Sequence, residues 1–320
     1  MFVPAPAVDA ATSFLRELVR ARPRELARWF HDDATWWVDT GIDRAAGAVD
    51  AGRGAPRESP LHGTIPAAEK LDLLSGQAGE FPRGCRYSIR RAFGTADVAV
   101  VEVAIDGLHA SGHRYRNNAA LVVDVDGGRI AAVREYLDTD HALRVLGDPG
   151  AARRTTAPVR RPPDVEASSP WARAALRFLA AIGHADPEAV LAACGEHATW
   201  WADGGRRRSR PDGPTDRAAP QPMFGRVPVP ARAPLVAALG AMFGGTWWLR
   251  PRRVVESGEL VAVEAESFGE HPGGVVYQNR YCFVFQVRRG LVEHVREYAD
   301  VHHGLDVFRR VRELEGRLQE

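Results

Sequence analysis

Apolar residues fall at helical spacing from about residue 9 to 22, where Phe14, Leu15, Leu18 and Val19 share one side. Pro23 suits the first turn of a second helix carrying Leu26, Trp29 and Phe30. Thr35 to Asp39, rich in Trp, reads as a first strand, and from Gly41 to Gly63 the chain turns to Gly, Pro, Ala and charge, a long loop. Pro66 to Leu74 predicts a short third helix. A run of strands follows at Arg86–Phe93, Val98–Ile105, Tyr115–Val125 and Ile130–Leu137. Asp126-Gly127-Gly128 between the last two predicts a hairpin turn, because Gly tolerates positive φ.

Residues 147–170 are rich in Pro, Arg, Ser and Ala without periodicity, the mark of a linker. Beyond it the pattern runs again in the same order. Helices hold Leu176, Phe178, Leu179 and Ile182, then Val190 and Leu191, before a second Trp-rich strand and an Arg-rich loop from Arg206 to Pro222. Phe224-Gly225-Arg226-Val227-Pro228 answers His62-Gly63-Thr64-Ile65-Pro66. Strands resume at Leu260–Glu266, Tyr277–Val287 and Leu291–Ala299, and a terminal helix covers roughly 304–318.

The two passes share letters as well as pattern. Ala34-Thr35-Trp36-Trp37-Val38-Asp39 returns as Ala198-Thr199-Trp200-Trp201-Ala202-Asp203, offset by 164 residues, from 34 to 198. Arg134-Glu135-Tyr136-Leu137-Asp138 returns as Arg296-Glu297-Tyr298-Ala299-Asp300, offset by 162, from 134 to 296. So long a period means two whole domains, residues 1–146 and 171–320, not a solenoid with repeats of about 20–50 residues. Helices followed by a meander of strands is an α+β pattern: two fused cone-shaped domains, each a curved, mostly antiparallel sheet packed by about three helices. Three helices cannot cover both faces of such a sheet, so its concave side closes on a partner or encloses a pocket.

Composition narrows the class. The chain's 320 residues suit about two domains of roughly 150 each. Hydrophobic residues at 45% and charged residues at 26% are ordinary for soluble globular protein. A formal net charge of +1 supplies no field to recruit nucleic acid or an anionic membrane, so neither is an expected partner. Lys70 is the sole lysine among the 42 basic residues, an Arg bias that reads as GC-rich coding rather than phosphate recognition. Cys85, Cys194 and Cys282 have no repeated spacing and form neither a disulfide framework nor a zinc ribbon, which makes a reducing cytoplasm the expected location. The N-terminus lacks the basic and long apolar regions of a signal peptide, and no uncharged apolar run of about 18 residues occurs.

The order of elements, the Trp-rich first strand, the Tyr-x-Asn strand (Tyr115-Arg116-Asn117; Tyr277-Gln278-Asn279) and the closing Arg-Glu-Tyr-x-Asp together resemble the nuclear transport factor 2-like superfamily. Within it the chain is most similar to SnoaL-like polyketide cyclases and to their relatives ketosteroid isomerase and limonene epoxide hydrolase. That resemblance implies acid/base chemistry in an apolar cone, with departures. The isomerase's oxyanion Tyr matches Phe14 and Phe178, and its second oxyanion acid matches Ala120 and Cys282. Its base lies near Asp39 and Asp203, one residue out of register, and a one-residue slip turns a strand side chain to the other face. The epoxide hydrolase's closing Asp matches Asp138 and Asp300, but its Arg-x-Asp pair matches Val103 with Ile105 and Ala265 with Ser267. The resemblance therefore leaves the closing carboxylate as the family acid/base retained in both halves.

Strand alternation puts Arg134, Tyr136 and Asp138 on one face, and Arg296, Tyr298 and Asp300 likewise. Desolvation at the mouth of a cone raises a carboxyl pKa and a nearby Arg lowers it, which can poise a base to take a proton next to a carbonyl. The competing reading is that each Asp caps the helix after it, starting near Asp140 or Val301. Glu102 and Glu264, in apolar strands, call for a cation, naturally Arg134 or Arg296, as a structural pair or in a pocket. Asn117 and Asn279 either orient a substrate carbonyl or satisfy backbone groups. Of each Trp pair one member must face the helices; Trp37 and Trp201 are the candidates for binding an apolar ligand, and core packing is the plainer role. Trp247 and Trp248 occur in the second half alone and would narrow its cavity.

His113, His141, His302 and His303 show no metal-ligand spacing, so no metal is expected. Arg206-Arg207-Arg208 reads as a solvated lid loop, with contact to a phosphate or carrier-bound substrate as the alternative. The absence of a phosphate-cradling Gly-rich loop, a Ser-centred elbow and a Cys–His pairing favours chemistry without a cofactor. The expected function is thus a cofactor-independent cyclase, isomerase or dehydratase of natural-product metabolism, acting on a hydrophobic carbonyl-bearing small molecule. Asp138 or Asp300 would be its acid/base. Tyr136 or Tyr298 and Asn117 or Asn279 would orient the substrate. Epoxide opening, leaning on Asp39 or Asp203, is the alternative of the same class; a non-catalytic binding or scaffolding pair is that of another. Relatives dimerise through the sheet, so fusion is expected to give an intrachain pseudo-dimer, with further homo-oligomerisation open.

Overall fold

A computed structural model of the chain describes residues 5–18, 23–38, 63–76, 79–146, 164–204, 210–215 and 223–318. The chain divides into two compact units, residues 1–157 and 158–320. The first runs α1 (Pro6–Leu18), α2 (Pro23–Leu26), a 3-10 turn (Ala27–Trp29), β1 (Phe30–Val38), β2 (Gly63–Pro66), α3 (Ala67–Gly76), β3 (Cys85–Gly94), β4 (Val98–Leu108), β5 (Arg114–Asp126), β6 (Arg129–Leu137) and α4 (Thr139–Leu146). The second repeats that order: α5 (Pro170–Gly183), α6 (Pro187–Ala192), β7 (Cys194–Ala202), β8 (Gly225–Pro228), α7 (Val229–Met242), β9 (Trp248–Ser257), β10 (Leu260–Glu270), β11 (Val276–Arg288), β12 (Leu291–Ala299) and α8 (Val301–Leu318).

Among the described residues each unit holds a six-stranded sheet, ordered β2-β1-β6-β5-β4-β3 in the first and β8-β7-β12-β11-β10-β9 in the second. The Trp strand runs parallel to the closing strand (β1 to β6, β7 to β12) and all other pairings are antiparallel. This α+β architecture, helices on one face of a mostly antiparallel sheet, is the one expected from the element order. Several details differ, among them a helix, α7, with no counterpart among the expected elements. Phe30 opens β1 instead of ending a helix; Pro66 ends a short strand before α3 begins; and β9, which Pro251 interrupts, has no counterpart among the expected strands.

Local chemistry accounts for the ends of elements. The Ser169 hydroxyl accepts from Ala172 N at 3.0 Å with Pro170 at the first helical position, and Asp186 caps α6 by accepting from Ala189 N at 2.9 Å. The hydroxyls of Ser168 and Ser169 also donate to Glu256 on β9, which ties the start of α5 to its sheet. Between β5 and β6, Gly127 (φ 55°) and Gly128 (φ 80°) make the expected turn, while Arg289 (φ 50°) and Gly290 (φ 77°) do so between β11 and β12.

Alternation then fixes the faces. In the first unit Val101, Val103 and Ile105 of β4, Leu121 and Val123 of β5, and Trp36 pack with Phe14 of α1 into one core. Phe178, Trp200, Val261, Val263, Phe283 and Phe285 form the equivalent core of the second unit. Glu102, Arg134, Tyr136 and Trp37, at the intervening positions, occupy the opposite face.

Candidate active site

In the second unit the helix-facing side chains pack at one end and leave a space at the other. They surround a cavity of about 310 Å³, lined by Tyr277, Asn279, Tyr281 and Phe283 of β11, Glu297 and Ala299 of β12, Trp200 of β7, Arg232 and Leu239 of α7, and Gly304 and Phe308 of α8. That volume is at the low end of the ~300–1,000 Å³ range of small-molecule sites, and its walls are mostly apolar.

Glu297 is one of three carboxyls in this wall, with Asp203 and Asp300. It is half-buried and lines the cavity. Trp200 Nε1 donates to its Oε2 at 2.8 Å, and the Arg232 guanidinium lies 5.3 Å from the centre of the same indole. Arg232 is buried and gives a hydrogen bond to Gly225 O at 3.1 Å. Burial holds the Glu297 pKa above the ordinary 4.5, against the opposing pull of the Arg232 charge and the indole N–H. Burial likewise brings Arg232 down to about 10, which leaves it a cation at neutral pH.

A chain of hydroxyls lies along β10 and β11. Asn279 Nδ2 donates to the Tyr277 hydroxyl at 3.1 Å, the Tyr277 and Tyr281 hydroxyls are 2.7 Å apart, and Tyr281 meets Ser267 Oγ at 3.2 Å. Three hydroxyl hydrogens serve two bonds among them, so one is left to donate elsewhere. Burial, the dominant cause, pushes Tyr277 up to about 12 and Tyr281 well above its usual 10, with the Glu297 charge adding to both. They remain neutral donors across the physiological range.

The first unit has the same frame and a different filling. Trp36 Nε1 donates to Glu135 Oε2 at 2.9 Å, and Lys70 Nζ, 3.3 Å from the same oxygen, lies 5.3 Å from the Trp36 ring. Lys70 and Arg232 are both the fourth residue of their helices. The first-unit cavity measures only about 40 Å³. At equivalent register positions it carries Leu137 where the second unit has Ala299, Tyr87 where it has Leu249, Ala119 where it has Tyr281, and Ile105 where it has Ser267. Bulk at Leu137 and Tyr87 fills the cone, and the hydroxyl chain is missing.

The residues chosen from sequence scatter across this geometry. Asp203, Asn279 and Asp300 line the second cavity. Asp300 Oδ1 accepts from His303 N at 3.0 Å and Asp138 Oδ1 from His141 N at 3.0 Å, so both carboxylates are helix caps, of α8 and α4. Asn117 and Asn279 each donate to the main-chain oxygen of that Asp, at 3.0 and 3.1 Å, and pin the sheet to the cap. Asp203 Oδ1 accepts from Gly204 N at 2.9 Å.

Arg134, Tyr136, Arg296, Tyr298, Trp37 and Trp201 sit on the sheet face away from the cavities: Trp37 packs on Tyr136 at 5.1 Å and Trp201 on Tyr298 at 5.2 Å. The wall positions belong to Trp36 and Trp200 instead. Glu102 and Glu264 share that outer face; Glu102 lies 3.4 Å from Arg91, Glu264 stands beside Arg253 in register, and Arg134 pairs with Asp124 at 2.5 Å. Trp247 lines the cavity, whereas Trp248 stacks on Phe268 at 6.0 Å. Asp39, the loop at 41–62 and Arg206-Arg207-Arg208 lie outside the described residues.

The residues that sequence reading passed over are Glu135, Glu297, Lys70 and Arg232. A signal was present: each Glu is flanked two residues away by Val133 and Leu137, or by Val295 and Ala299, a carboxyl interrupting the apolar register of its strand. Among the described residues, no three His, Cys, Asp or Glu side chains gather so as to hold a metal ion, and no helix is long and apolar enough to cross a membrane.

No protein-family model and no curated protein matches the chain. Solved structures similar to it include an NTF2-like protein from Anabaena variabilis, at 19% identity over 43% of this chain and 92% of that one, with a TM-score of 0.33. Another is an LEH-like epoxide hydrolase from M. tuberculosis, at 19% identity over 45% of this chain and 90% of that one, TM-score 0.33. A third is TerC co-crystallised with polyporic acid, at 18% identity over 43% of this chain and 98% of that one, TM-score 0.35.

Proposed function

We propose that the second unit carries out acid/base chemistry on a small apolar molecule bearing a carbonyl, as a cyclase, isomerase or dehydratase would, and that the first unit is a filled copy without that activity. The observation that carries the reading is a carboxyl, Glu297, facing the interior of a mostly apolar cavity of about 310 Å³. A base whose pKa is raised by burial holds a proton more strongly than an exposed glutamate, which favours taking one from carbon next to a carbonyl. Arg232 keeps the carboxylate form within reach by its charge. As the proton leaves, negative charge grows on the carbonyl oxygen. A hydroxyl of Tyr277 or Tyr281, both in the cavity lining, would donate to it when the spare hydrogen of the chain rests there. Glu297 then returns the proton at another carbon or to a leaving hydroxyl.

Gly304 offers a test that needs no known substrate. It lines the cavity from within α8, and a side chain there would extend into the space beside Tyr277 and Phe308. Anilinonaphthalene, a neutral apolar fluorophore, is expected to bind the protein, and Gly304→Phe is expected to abolish that binding; equal binding by both proteins would place the probe elsewhere and refute the reading. Epoxide opening is a second reading, favoured by Asp203, whose side chain lines the same cavity. Oxygen from labelled water entering the product would favour it over proton transfer.

A further inference from the structure

We propose that Arg312 is a specificity residue of the second-unit cavity, and that the natural ligand therefore joins an apolar body to an anionic group, such as a carboxylate, held at the mouth. This rests on the reading of that cavity as a ligand site.

Five charged residues line the cavity: Asp203, Arg232, Glu297, Asp300 and Arg312. Asp203, Arg232 and Asp300 are almost fully buried, and Glu297 is half-buried. Arg312 alone among them is exposed, which puts it where the cavity meets solvent. Its neighbours on α8 are engaged in other ways. Arg309 is paired with Asp306 at 2.6 Å and Glu313 at 2.7 Å, Arg310 lies 3.9 Å from Asp306, and Arg317 bonds Glu313 O at 3.1 Å. Glu315, one turn beyond Arg312, faces His271 at 3.8 Å. Arg312 makes no hydrogen bond or ion pair among the described residues. Among the described residues its guanidinium is thus an unpaired cation at the edge of a mostly apolar cavity, and a guanidinium binds a carboxylate through two parallel N–H···O bonds.

The size of the cavity supports the same division of the ligand. About 310 Å³ equals the volume of only about ten waters, so a ligand of ordinary metabolite size fills it with its apolar part and leaves the remainder at the rim. An anion inside would meet three carboxyls, Asp203, Glu297 and Asp300, against the one cation Arg232, which already bonds Gly225 O; at the rim it meets Arg312 first. Among the described residues α4 of the first unit has eight residues, Thr139–Leu146, whereas α8 has eighteen, Val301–Leu318, and so carries Arg312.

The test compares two probes with one body, anilinonaphthalene and its sulfonated analogue, titrated into the full-length protein and into Arg312→Gln, with Gly304→Phe as the cavity control. The expected result is that Arg312→Gln weakens the sulfonated probe about tenfold at low salt, leaves the neutral probe within about twofold, and removes most of the salt dependence of the sulfonated one. Equal loss for both probes would make Arg312 a support of α8 and overturn the assignment, as would no loss for either. Arg312→Lys, which keeps the charge but not the planar fork, is expected to fall between the two. Neutral-probe binding that survives Gly304→Phe would instead defeat the cavity reading itself, and the Arg312 assignment with it.

Discussion

Trp200 Nε1 donates to Glu297 Oε2 at 2.8 Å, and the equivalent indole of the first unit, Trp36, donates to Glu135 at 2.9 Å. The duplicated motifs, one on the Trp strand and one on the closing strand, meet in this bond across a parallel pairing in each unit. Around the same bond the two units diverge: one carboxyl is matched by a buried lysine in a closed core, the other looks into a cavity.

Glu297 links the site to stability. Its pKa is raised in the folded protein, so the folded state binds more protons than the unfolded state between the unfolded and folded values. Its favourable contribution is therefore complete below about pH 4.5 and is lost as pH rises through the folded pKa. Glu297→Gln is expected to be more stable than the parent at pH 7 and equal to it near pH 4, as measured by urea unfolding over that range. A constant difference at every pH would mean that Glu297 does not titrate as described.

Lys70 and Glu135 form a buried pair at 3.3 Å. Lys70→Met leaves Glu135 without its cation and is expected to cost about 3 kcal/mol in urea unfolding. Glu135→Gln added to Lys70→Met removes the stranded charge while keeping an acceptor for Trp36 Nε1, and is expected to recover more than half of that loss. Additive losses in the double variant would contradict a coupled pair.

Asp138 and Asp300 are caps in this structure. Replacing either with Ala is expected to cost about 1 kcal/mol, and replacing it with Asn, an equally good cap, only a few tenths. Chemical denaturation of the four variants measures this. An Asn variant as unstable as the Ala variant would show that the charge itself is required.

How far the sequence could be read follows from what each signal depends on. The duplication, the α+β order and the closing strands were legible because they rest on periodicity and repeated letters, and the capping role of Asp138 and Asp300 was one of the two readings their position allowed. The face of the closing strand was not. Arg134, Tyr136 and Asp138 form a polar set at every second position, more conspicuous than a single Glu, yet the apolar register of Val133 and Leu137 is what points to the helices, and Glu135 rides on it. Tyr281 and Ser267 stood out to no rule, since each becomes part of a site only through a cross-strand neighbour. Lys70 stood out only as the sole lysine, and its role requires the fold of α3 over Trp36. β9 was lost because Pro251 interrupts it, and a Pro within a run argues against a strand except at a sheet edge, where β9 lies.

Deuterium exchange tests the central claim most directly. β-Tetralone, an apolar bicyclic ketone with acidic hydrogens next to its carbonyl, exchanges them slowly in heavy water, and mass spectrometry follows the uptake. The parent protein is expected to accelerate that exchange, Glu297→Gln to reduce the acceleration by at least about a hundredfold, and Glu135→Gln to leave it unchanged. Acceleration that survives in Glu297→Gln, or that disappears in Glu135→Gln while the protein remains folded, would contradict the assignment of the second-unit cavity and its carboxyl.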